Sequence, residues 1–60
     1  MIGYIYSTES NEIVAEIHGE DNATIEAAAE SKGWMGCDEF GLTYTRGQMG
    51  FEMGHDFIEA

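Results

Sequence analysis

The sequence predicts an α+β fold: a four-stranded sheet of two β-hairpins with one helix packed on one face, in the order β-β-α-β-β. Three patterns carry this. Phe40, Leu42 and Tyr44 alternate with small or polar residues, and Met49, Phe51 and Met53 mirror them about Arg46-Gly47. Ile13, Ala15 and Ile17 alternate with Glu12, Val14, Glu16 and His18. Between these runs, Ala23 to Lys32 is rich in helix formers and is bounded by Asp21-Asn22 and Gly33.

Met1 to Ser7 holds Ile2, Tyr4, Ile5 and Tyr6, an aromatic and β-branched run that reads as a strand. Its inward face is taken as Ile2, Tyr4 and Tyr6, which leaves Ile5 outside; the opposite choice turns Met1 and Ile5 inward and both tyrosines out. Thr8-Glu9-Ser10-Asn11 then forms a loop to the second strand, with Tyr6 opposite Ile13, Tyr4 opposite Ala15 and Ile2 opposite Ile17.

Asp21 or Asn22 caps the helix by accepting a hydrogen bond from a free amide, and Gly33 takes the left-handed conformation that ends it. Ile25, Ala28, Ala29 and Lys32 recur at helical spacing as an inward stripe, while Glu26 and Glu30 face solvent. Gly33 to Glu39 is a loop in which Trp34 and Met35 are either a core plug or an exposed anchor. Phe40 to Met53 is the second hairpin, with a two-residue turn at Arg46-Gly47 that sets Phe40 against Met53, Leu42 against Phe51 and Tyr44 against Met49. Gly54 to Ala60 extends the last strand or trails from it.

Sixty residues make a single domain, 1–60, with a thin core. The lone Cys37 forms no internal disulfide, which favours a reducing cytoplasm, and the Met1-Ile2-Gly3-Tyr4 start reads as neither a signal peptide nor a membrane span. His18, Cys37, His55 and Asp56 are ligand types without metal-site spacing, so no metal or cofactor is expected. Cys37 with either histidine lacks a pocket, so no enzymatic activity is expected either. Cys37 reads instead as a small buried hydrophobe, and Tyr4, Tyr6 and Tyr44 as core rings.

Charge is the functional signal. Twelve acids oppose only Lys32 and Arg46, giving a formal net charge of −10 and a pI near 4.1. Direct nucleic-acid binding is therefore disfavoured, and without a long apolar run no membrane partner is expected. Glu12 and Glu16 fall on the outer side of the second strand, Glu52 and Asp56 on that of the fourth, and Glu26 and Glu30 on the helix surface. Same-face strand residues stand about 6.7 Å apart, so these carboxylates hold negative charge at a spacing comparable to a nucleic-acid backbone. Gly3, Gly41, Gly50 and Gly54 would leave a low outer surface between acidic rims. A solubilising surface, or adaptation to high salt, accounts for the same acids.

The order of elements resembles that of immunoglobulin-binding bacterial domains and ubiquitin-like folds, and leaves the strand order open. Length, outward acids and compact layout resemble phage-encoded inhibitors of bacterial defence, notably anti-CRISPR proteins that imitate DNA, and related inhibitors of restriction enzymes. That resemblance implies a mode of action and no residue roles: a stoichiometric inhibitor on the basic DNA-binding surface of a CRISPR effector complex or similar nuclease. The alternative is an adaptor that binds through apolar anchors such as Trp34 and Met35.

Overall fold

A computed structural model describes all 60 residues. Strands β1 (Ile2–Ser7) and β2 (Glu12–His18) form the expected antiparallel hairpin at the centre of the sheet. Tyr6 faces Ile13 as expected, but a bulge follows and shifts the remaining pairs by one, to Ile5 with Ala15, Tyr4 with Glu16 and Gly3 with Ile17. Val14 is the extra residue, and Val14 rather than Ile13 packs against the main core cluster.

The helix α1 (Asn22–Ser31) covers one face. Asp21 is its cap and accepts from the Thr24 N–H at 2.8 Å. At the other end Gly33, with φ +84°, lets its own N–H reach the Glu30 carbonyl at 3.0 Å and the Trp34 N–H reach Ala29 at 3.1 Å. Ile25 and Ala29 are fully buried against Ile5, Ala15 and Ile17. The covered face of β1 is therefore Gly3 and Ile5, and the expectation that Ile2, Tyr4 and Tyr6 point inward is corrected. Gly3 accounts for this: Ile25 occupies the space that a side chain there would need.

The second hairpin does not form. Strands β3 (Phe40–Thr43) and β4 (Gly50–Glu59) lie at opposite edges of a sheet ordered β3-β1-β2-β4. β3 runs antiparallel to β1, with Tyr4 opposite Thr43 and Ser7 opposite Phe40; β4 runs parallel to β2, with Glu16 opposite Phe57 and Ile17 opposite Ile58. The common two-residue hairpin turns need positive φ at the first position or at both, and here Gly47 has it but Arg46, the first, does not. Phe40, Leu42 and Tyr44 pack against the helix-side core, whereas Phe51 stacks on His55 over the other face.

The connection from Tyr44 to Met49 therefore crosses the sheet. The Arg46 guanidinium lies 4.1 Å from the centre of the Phe51 ring, which places the crossing on the face away from the helix. On that side the β3-to-β4 connection has the same hand as the β2-α1-β3 crossover, as parallel connections prefer. Between Phe51 and Asp56 the pairing jumps, and Glu52 to His55 bow out of the ladder.

Candidate functional site

Eleven of the twelve acidic residues are exposed, and none of the eleven has a lysine or arginine nitrogen within 4.0 Å. The fold gathers some of them. Thr8, just past β1, donates its backbone N–H to the Glu39 carbonyl at 3.0 Å and its hydroxyl to the Asp38 carbonyl at 2.7 Å. These bonds draw the segment before β3 against the β1-β2 turn. An open groove of about 410 Å³ results, with Glu9, Asp38, Glu39 and Glu52 on its walls. Glu12, paired with Gly50, borders the same end of the sheet.

Of the residues expected at a binding surface, Glu52 lines this groove and Glu12 stands at the same end of the sheet without lining it. Glu26 and Glu30 are exposed on α1, and Asp56, opposite Ala15, is exposed on β4. Glu9, Asp38 and Glu39 were missed because strand alternation gives loop residues no direction. Their meeting follows from the β1-β3 pairing, which no local signal announces. Glu20 and Glu59 line a shallower hollow at the opposite end, beside His18.

Glu16 is the exception, and its expected exposure is corrected. It retains only 9% of its accessible surface. Its Oε1 lies 3.4 Å from His18 Nε2 and its Oε2 lies 3.4 Å from His55 Nε2. His55 in turn stacks on Phe51, with ring centres 4.4 Å apart, and meets Phe57 at a tilt, with centres 4.6 Å apart. The carboxylate thus sits among imidazoles and rings on the face opposite the helix. Residues 16 and 18 share a face by parity, but the bowed segment before His55 hid its arrival from sequence. No three histidine, cysteine or acidic side chains converge where a metal ion could be held.

The other sequence candidates fall elsewhere. Trp34 packs against the core and Met35 is exposed. Cys37 is exposed rather than buried, its thiol 3.4 Å from the Trp34 carbonyl. Tyr44 packs on the core, with its hydroxyl 3.5 Å from the Asn22 carbonyl. Removal from water, and then the charge of Glu26, raises the Tyr44 pKa above its usual value. Tyr4 and Tyr6 lie on the other face, and the Tyr6 ring covers Gly41. Neither Gly3 nor Gly41 therefore contributes to a bare outer surface, while Gly50 and Gly54 remain open.

No helix is long and apolar enough to cross a membrane. No family model, curated protein or solved structure matches the chain.

Proposed function

We propose that this chain is a stoichiometric inhibitor that acts as an acidic decoy for polynucleotide, occupying the basic nucleic-acid-binding surface of another protein. A CRISPR effector complex or a restriction-type nuclease of the bacterial cytoplasm is the class of target. The supporting observation is the set of eleven exposed carboxylates without a basic partner. An acid already paired with lysine or arginine has little field left to offer a ligand; these keep theirs. Grouping of Glu9, Asp38, Glu39 and Glu52 along one groove concentrates that field where a lysine or arginine row could enter.

Competition tests the reading. The chain should displace DNA from such a nuclease, and replacement of Glu9, Asp38, Glu39 and Glu52 by their amides should weaken displacement by about tenfold or more, while replacement of Glu26 and Glu30 does less. Equal displacement by the folded groove variant would count against it. If raising salt leaves binding unchanged, the contact is apolar and the adaptor reading takes its place.

A further inference from the structure

We propose that the outer edge of β4, along Asp56–Glu59, is a docking site for an extended basic segment of a partner protein, which joins the sheet as a fifth strand. The sign of that segment's charge rests on the decoy reading; the mode of attachment is independent of it.

Backbone geometry leaves the edge open. β4 pairs only with β2. The Ala60 N–H donates to the His18 carbonyl at 2.8 Å, so Ala60 faces β2. In a parallel ladder, a residue's N–H and C=O point to the same side, and that side alternates along the strand. Asp56 and Ile58 then face β2, and Phe57 and Glu59 turn their backbone groups outward.

Side chains on this strand suit a cationic, partly apolar strand. Sheet edges are commonly guarded by lysine or proline, and β4 contains neither. Phe57 keeps 67% of its surface exposed and Met53 99%. Interleaved with them are Glu52, Asp56 and Glu59, all exposed. An incoming strand with basic residues opposite Asp56 and Glu59, and an apolar residue beside Phe57, satisfies both features at once. The opposite edge, β3, is only 4 residues long and lacks an acid. A second copy of this chain is a poor occupant, because pairing two β4 edges opposes Asp56 and Glu59 with their counterparts on chains of net charge −10 each.

The probe is a synthetic peptide with a Lys-Val-Val-Lys core, which sets lysines opposite both Asp56 and Glu59 and a valine beside Phe57, titrated into the chain while backbone amide resonances are followed. Amides of Phe57 and Glu59 should shift and become protected from exchange. Phe57→Pro deletes an outward N–H while sparing the β2 ladder, and it should weaken peptide binding by about tenfold. A peptide N-methylated on the amides of one edge provides the same block from the other partner and needs no variant to fold. Undiminished binding of the methylated peptide, or by folded Phe57→Pro, overturns the docking site. If that binding still weakens with salt, the decoy reading survives without it; if binding is lost on methylation yet indifferent to salt, the edge docks but the charge reading fails. Self-association of the chain through β4, seen by sedimentation and abolished by Phe57→Pro, would show a second copy as occupant and overturn the basic one.

Discussion

Gly3 lies directly beneath Ile25: a Cβ on Gly3 would overlap the Ile25 Cγ2 methyl and come within 3.1 Å of Leu42 Cδ1. Both neighbours belong to the layer between helix and sheet, where Ile25 is fully buried. The helix can approach this closely only because β1 presents no side chain there. Gly3→Ala should therefore destabilise the fold by about 1–3 kcal/mol through overpacking, and Gly3→Val by more. Urea denaturation measures it. A neutral Gly3→Ala would mean that α1 does not lie over this position.

The Asp21 carboxylate accepts hydrogen bonds from the Thr24 N–H at 2.8 Å and the Thr24 hydroxyl at 2.7 Å. The backbone bond, and then the hydroxyl bond, hold its pKa below the ordinary carboxyl value of 3.8. A group whose pKa is depressed by folding stabilises the fold above its unfolded value, and that contribution disappears as pH falls through the folded value. Asp21→Ala should thus lower the melting temperature at neutral pH, and the gap from the parent chain should close below about pH 3.8. Thermal melts of both chains across this range provide the check. A gap that persists in strong acid would show that the carboxylate charge is not what caps α1.

Glu16 makes a different kind of contribution from the other acids. Its two oxygens each approach a histidine Nε2 at 3.4 Å, on a nearly closed part of the face. Both Nε2 atoms are buried with no other polar neighbour in hydrogen-bonding range. Glu16→Ala should cost about 1–3 kcal/mol, because two buried nitrogens lose the group they face. Glu12→Ala, on an exposed side chain, should stay within about 0.5 kcal/mol. Chemical denaturation of the two variants side by side separates a structural acid from a surface one, and equal effects would contradict the burial of Glu16.

Local elements were legible in the sequence, and long-range pairing was not. Asp21, Gly33 and the Ile25-Ala29 stripe act as their neighbours in the chain predict, because caps and helix faces are decided within a few residues. Phe40, Leu42 and Tyr44 do form one inward face, and Phe51 belongs to a strand. What alternation leaves open is which strand lies alongside. Two alternating runs joined by a short link satisfy a hairpin on paper, but the link is also long enough to cross the sheet, and Arg46 over Phe51 makes that crossing part of the packed face. The bulge at Val14 had the same effect on a smaller scale, carrying Ile13 out of the main core cluster that its parity predicted. At the candidate site, Glu12 and Glu52 were readable as outward strand residues. Glu9, Asp38 and Glu39 depended on the β1-β3 contact.

Salt should move stability and partner binding in opposite directions. Eleven exposed carboxylates with no basic partner repel one another, and two unit charges about 10 Å apart in water contribute roughly 0.4 kcal/mol before screening. Raising sodium chloride from about 0.1 to 1 M shortens the screening length from about 10 to 3 Å, which removes most of that repulsion. The melting temperature of the isolated chain should therefore rise with salt. Affinity for a basic nucleic-acid-binding partner should fall over the same range, because screening also weakens the attraction between them. Replacing Glu9, Asp38, Glu39 and Glu52 by their amides should mimic high salt in both respects: a higher melting temperature at low ionic strength and weaker binding. Calorimetry on the free chain and titration of the complex, run in the same buffers, compare the two responses. A melting temperature that falls with salt would mean that the carboxylates are favourably engaged in the free chain, and the unpaired field on which the decoy reading depends would not exist.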